Sequence, residues 1–249
     1  MPPAKKVTAR QQPVEPPPAA SDKLPRGAKR KRDTRARLLT AALHLMAYRG
    51  VAGVTIHEIT EQADVGFGSF YNHFESKEAL HGALIDEVIS HFAVALDRLG
   101  EQLTDPAEKV AASTRYTLLR GMSDPTWGRF VFQTNFSRDS MSSGLGRYLL
   151  QDMGAGLASG RFTIADLPAA YIAAGSTILG ALAAISDQAQ ADSDETERQP
   201  ALFGDAQTLP ERIAAIVLTI LGLPTDEAHQ IAGRPLPQIE LPANPFAPA

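Results

Sequence analysis

Residues 55–77, TIHEITEQADVGFGSFYNHFESK, constrain the fold more than any other stretch, because they spell two short helices joined by a brief turn. Thr55 precedes an apolar-periodic run and Glu58 follows three residues later, the capping-box spacing that satisfies free amide donors at a helix start. Ile56, Ile59 and Ala63 fall on one buried face, leaving His57, Glu58, Glu61 and Gln62 to solvent. Asp64, Val65 and Gly66 form the turn, with Val65 plugging the angle between the helices and Gly66 starting the second. In that second helix Phe70 and Phe74, four apart, face inward, so Phe67, Gly68, Ser69, Tyr71, Asn72 and His73 face outward.

This is helix-turn-helix spacing. Two rival motifs in the same residues fail on composition. His57 to Glu61 begins like a zinc-protease H-E-x-x-H motif but ends on glutamate, and Gly66-Phe67-Gly68 lacks both the preceding strand and the third glycine of a dinucleotide loop. With these set aside, FGSFYNHFESKEAL resembles the recognition-helix signature of the TetR family of transcriptional regulators, and the resemblance is specific from about Arg35 to Leu84. It implies that Thr55, Phe67, Gly68, Ser69, Tyr71, His73 and Lys77 touch DNA, with Phe70 and Phe74 kept inside. Gly66 and Asn72 complete the candidate DNA-binding surface. Asp64 stands where the family usually has a glycine in a left-handed turn, and Gly66 where it often has a serine cap. Aspartate tolerates that backbone region and glycine is an acceptable cap.

Charge is sorted along the chain. Residues 1–37 hold eleven Lys or Arg against three acids, a balance of +8, so the net charge of -4 leaves -12 for the remainder. A basic front on an acidic body suits a protein that meets a phosphate backbone with one end. Residues 1–27, rich in proline and alanine, are expected to be a disordered tail. Lys29, Arg30, Lys31 and Arg32 abut the first helix, positioned to lie along phosphates or reach a minor groove; a passive solubilising tail is the alternative. That helix, from about Asp33 to Tyr48, buries Leu39, Ala42, Leu43 and Met46 and stops at Gly50.

Ser76 caps a long helix to about Leu99, with Leu80, Leu84, Val88, Phe92, Leu96 and Leu99 in an apolar stripe. At ~1.5 Å per residue it spans ~33 Å and connects the DNA-binding signature to the rest of the chain. Helix starts marked by acid and proline follow at Asp105-Pro106 with Glu108, at Asp124-Pro125 and at Asp166-Leu167-Pro168, with turns expected at Gly121, Gly160 and Gly204. Nothing alternates with period two. The expected fold is all-α: a three-helix helix-turn-helix domain over 28–76, a helical effector-binding and dimerisation domain over 77–224, and a proline-rich tail over 225–249.

The resemblance implies a ligand pocket in the second domain, and the aromatic and thioether residues concentrated there supply its candidates: Tyr116, Met122, Trp127, Phe130, Phe136, Tyr148 and Met153. It also implies a dimer built from two helices per subunit. The Ala- and Gly-rich stretch 168–187 contributes Ile172, Gly175, Leu179 and Leu182. The helix after Thr208, with Glu211 in capping-box relation, contributes Ile213, Ile216, Val217 and Ile220. With 44% hydrophobic residues in 249 the chain can bury a substantial core, and with no cysteine it has neither disulfide nor thiolate metal site. No metal, cofactor or membrane-spanning stretch is expected, and the expected location is cytoplasmic. No local motif brings a nucleophile to a base. The expected function is a homodimeric repressor that binds a palindromic DNA operator and releases it on binding an apolar small molecule. A DNA-architectural protein without a ligand, and an all-helical enzyme, are the alternatives.

Overall fold

The structure, a computed structural model, describes residues 26–100, 102–134, 144–193 and 205–239. Among them every regular element is helical. The first helix, α1 (Arg26–Arg49), starts earlier than its apolar period alone indicates. Lys, Arg and Ala are strong helix formers and no proline interrupts them after Pro25, so the basic segment continues the helix. Lys29, Arg30, Lys31 and Arg32 therefore ride exposed on its first turns. At the other end Gly50 takes φ +67° and its amide donates to the Met46 carbonyl at 3.0 Å, the left-handed helix stop that glycine makes easily.

Helix α2 (Ile56–Gln62) opens with the capping box: the Thr55 hydroxyl accepts from the Glu58 amide at 3.2 Å, and the Glu58 carboxylate accepts from the Thr55 amide at 2.8 Å. Asp64 then adopts φ +49°, and Arg37 holds it there by donating to its carbonyl at 2.7 Å and its carboxylate at 2.9 Å. Gly66 caps α3 (Phe67–Phe70), shorter than the Phe70 to Phe74 spacing suggests; turns continue it, with the Phe74 amide still reaching the Phe70 carbonyl at 3.0 Å.

Ser76 caps α4 (Lys77–Leu84), which passes through a π turn (Ile85–Ser90) into α5 (His91–Gly100), one continuous rod. Six further α-helices follow among the described residues: α6 (Pro106–Ser123), α7 (Pro125–Thr134), α8 (Gly144–Ala158), α9 (Leu167–Ser193), α10 (Leu209–Ile220), which a 3-10 turn (Ala206–Thr208) precedes, and α11 (Thr225–Ala232). The principal packings are α10 on α6, α7 on α9, α10 on α11 and α1 on α7. One apolar core runs unbroken from Leu38, Phe70 and Leu84 through Phe92, Trp127 and Phe130 to Leu182 and Leu209. A second gathers Met153, Phe162, Tyr171, Val217, Leu218 and Ile231. The helix-turn-helix unit and the helices behind it thus share a core, which a three-helix unit of that size needs for stability.

Several expectations are corrected here. Gly121 is not a turn but a crossing point inside α6, where a β-carbon would sit 2.4 Å from Leu182 Cδ2. Thr208 forms no capping box: its backbone is helical, its hydroxyl donates to the Asp205 carbonyl, and Glu211 instead accepts from Arg115 at 2.9 Å. The stretch from 225 is not a loose tail at its start. Proline at the entry favours a helix, and α11 buries Ala228, Ile231 and Ala232 on one face. Arg161 clamps α11 to α6 through Glu227 and Asp105, each at 2.8 Å, and the Tyr116 hydroxyl donates to the Pro237 carbonyl. Lys77–Gly100 and Leu167–Gln190 are, contrary to expectation, long and apolar enough to cross a membrane by length and composition, a test that a buried core helix also passes. The first buries Leu80, Leu84, Val88, Phe92, Leu96 and Leu99 in the core, and the second Tyr171, Ala174, Leu182 and Ile185.

Candidate functional site

The outward surface of the helix-turn-helix unit is aromatic and otherwise small. Phe67 is 50% exposed and Tyr71 53%, and their rings meet edge-on with centroids 5.8 Å apart. His57 of α2 lies against Phe67 at 6.5 Å, so the aromatic surface spans both helices. Gly66, Gly68 and Asn72 are exposed, and a β-carbon at Gly68 would meet nothing within 4 Å, so the backbone there is open to close approach. Ser69 is half-buried, and the Thr55 hydroxyl is engaged with Glu58. That engagement, with the Thr55 amide and Arg49, holds the Glu58 carboxyl down at about 2. Such an exposed aromatic patch presents π faces and edges suited to thymine methyls and sugar-phosphate.

Charge frames this surface. Burial keeps the His73 imidazole below its ordinary range, with Lys31 and Arg35 adding to the effect, which puts the first turns of α1 beside the end of the recognition segment. Arg35 stacks on the Phe74 ring at 5.3 Å from its centroid. Lys77 has acceptors within the chain: its ammonium donates to the Val51 carbonyl at 2.8 Å and the Val54 carbonyl at 2.7 Å. Two of its three donors tie α4 to the turn that precedes α2.

Behind this unit lies a cavity of about 460 Å³. Its walls are Ala93, Leu96, Asp97 and Gly100 of α5, Lys109, Val110, Ser113, Thr114 and Thr117 of α6, and Val131 of α7. Helix α8 adds Leu145, Gly146, Tyr148, Leu149, Gln151 and Asp152, and α9 adds Tyr171, Ile172, Gly175, Ser176, Ile178, Leu179 and Leu182. That volume suits a small organic molecule. It is amphiphilic rather than apolar: Asp97, Lys109 and Asp152 give it a charged component among hydroxyls and aliphatic groups. Burial pushes the Asp152 carboxyl up to about 6; Lys109 opposes the shift and Asp97 adds to it.

Of the aromatic and thioether candidates among the described residues only Tyr148 lines this cavity. Trp127, Phe130 and Met153 are core residues, Met122 packs partly buried against the core and Tyr116 is tied to Pro237. Phe136 lies outside the described residues. Large flat groups fill space, so they concentrate where there is no cavity. Asp97, Lys109 and Asp152 went unrecognised because each reads as a solvated position on an amphipathic helix. The candidate interface residues also divide. Ile172, Gly175, Leu179 and Leu182 belong to the cavity wall, and Val217 is wholly buried inside the subunit. Ile213 and Ile220 are half-buried against the subunit's own cores, whereas Ile172 remains 64% exposed and Ile216 49%. Among the described residues no cluster of three or more His, Asp or Glu has metal-site geometry.

Comparison with known proteins covers both halves. A model of bacterial regulatory proteins of the tetR family matches residues 38–84, and a model of the tetracyclin repressor-like C-terminal domain matches residues 105–234. The transcriptional repressor DhaR of Mycobacterium sp. (strain GP1) is 43% identical over 56 residues, 22% of this chain and 28% of the relative. NemR of Escherichia coli K12, another transcriptional repressor, is 39% identical over 71 residues, 28% of this chain and 34% of the relative. The matched segment thus spans about a third of these curated relatives. The likeness is broader in a crystal structure of RolR in complex with resorcinol, 36% identical with a TM-score of 0.58, covering 86% of this chain and 100% of that one.

Proposed function

The chain belongs to the TetR family of helix-turn-helix transcriptional regulators, and from that premise we propose that it is a repressor released from its DNA operator by a small molecule in the α5–α9 cavity. The observation that carries this reading is the rod from Lys77 to Gly100: its first residue braces the recognition unit and its last turns form the cavity wall. A ligand that fits the cavity in only one arrangement of that rod shifts the DNA-binding equilibrium by its differential affinity.

The cavity's mixed lining favours a small aromatic carrying hydroxyl groups over a purely apolar effector. Hydroxyls match Asp97, Asp152 and the neighbouring side-chain hydroxyls, while the ring matches Leu96, Val110, Leu149 and Leu179. The solved relative bound to resorcinol supports this class, and resorcinol is the first compound to test. The protein works as a homodimer in the cytoplasm. One recognition unit reads only a few base pairs, and the exposed Ile172 and Ile216 mark α9 and α10 as the face a second copy would cover. Selecting bound duplexes from a random pool tests the reading. The expected outcome is a two-fold symmetric sequence with half-sites about one helical turn apart, bound by two chains; an asymmetric site bound by one chain would refute the dimer.

A further inference from the structure

The rod that joins DNA surface to cavity is not a uniform α-helix. Its six middle residues, Ile85–Ser90, form a π turn. π turns are rare and are frequently found at functional sites, and their wide rungs open the backbone ladder to side-chain donors. Here the donor is Trp127: its indole N–H reaches the Val88 carbonyl at 3.1 Å, in a site where the tryptophan is 1% exposed. This contact accounts for the buried tryptophan that does not line the cavity.

The same turn is held from the DNA side. Glu87 pairs with Arg35 of α1, and that guanidinium also stacks on Phe74 at the end of the recognition segment. On the cavity side the Trp127 ring meets Phe92 edge-on at 5.0 Å, and the next residues of α5, Ala93, Leu96 and Asp97, form the wall. A continuous physical path therefore runs from Phe74 through Arg35, Glu87, the Val88 carbonyl and Trp127 to Phe92. Each residue in a helix contributes about 100° of rotation, so a wide rung that migrates by one residue re-aims the side chains it passes while the ends stay packed. Those side chains include Glu87 and Val88.

We propose that the π turn is the joint between cavity and recognition segment, and that Trp127 is the positioning residue that sets its register through the Val88 carbonyl. The proposal rests on the ligand-released reading above. The test is hydrogen–deuterium exchange of the full chain with a duplex it has selected from a random pool. In the wild type, DNA slows exchange at residues 66–74 and also changes it at 93–100. Trp127→Phe keeps a buried ring and deletes the N–H. It should speed exchange around Val88 on the order of tenfold, as expected for loss of one buried hydrogen bond. It should also keep DNA protection at 66–74 and abolish the change at 93–100. Glu87→Gln, at a less buried position, should leave the chain folded and reduce the distant change, which keeps the proposal testable if Trp127→Phe unfolds. Transmission at the wild-type level in whichever variants fold overturns the proposal, as does a wild type that binds DNA without any change at 93–100. A wild type that selects no duplex would instead refute the DNA-binding reading itself.

Discussion

Lys77 shows how far a single residue's role depends on distant partners. The family resemblance implies a DNA contact for it, while in the structure its ammonium donates to the Val51 and Val54 carbonyls. Lys77→Ala should lower both stability and DNA affinity while changing the log-log salt slope by well under the ~0.9 that a lost phosphate contact removes. A slope change near that value would return it to the phosphate backbone. Asp152 allows a second test. Its carboxyl rises from 3.8 to about 6, so folding takes up a proton between those values and stability falls as pH rises through that window. Asp152→Asn should flatten the melting-temperature profile there and raise Tm at pH 7 by roughly 6 °C, the low end of what that shift allows for a group only partly buried. An unchanged profile would mean the carboxyl is not held as described. Local chemistry was legible from sequence where both partners lie within a turn, as with Thr55 and Glu58. It was not legible for Lys77, whose acceptors lie 26 and 23 residues away.

At the scale of elements, periodicity located most of the helices, and the acid and proline starts at Asp105, Asp124 and Asp166 marked helix entries. What it lacked was any signal for the π turn, since the apolar stripe from Leu80 to Leu99 continues through it without a break. Nor did the apolar period show that the basic segment is helical, because its Lys and Arg favour a helix by propensity but carry no apolar stripe. The helical form sharpens the prediction for it: four consecutive cations fan about 100° apart around the helix, a basic collar that meets phosphates rather than an extended arm threading a groove. Replacing Lys29, Arg30, Lys31 and Arg32 with glutamine should weaken binding to specific and non-specific duplex alike, shallow the salt slope, and leave the helical circular-dichroism signal unchanged. Unchanged affinity across salt concentrations would make the segment a passive extension.

For the whole molecule the decisive feature is the larger of the two cores, which runs from Leu38 to Leu209 and which no pattern confined to one helix reveals. Sequence suggested two domains with a connecting helix; in the structure α1 packs on α7, and the apolar stripe of the connecting rod joins the same core. Occupancy of the cavity and the set of the recognition segment are then states of one packed body, and packed bodies switch between arrangements rather than deform continuously. The coupling this permits is typically ~1 to 3 kcal/mol, or about 5- to 150-fold in affinity, and by linkage it is reciprocal. The most direct test is an anisotropy titration of the selected operator with and without resorcinol or a related hydroxylated aromatic that raises Tm, paired with calorimetric titration of that compound into free and operator-bound protein. Ligand should weaken operator binding and operator should weaken ligand binding by the same factor. A compound that binds in the cavity with identical affinity in both states, leaving operator binding untouched, would contradict the ligand-released mechanism.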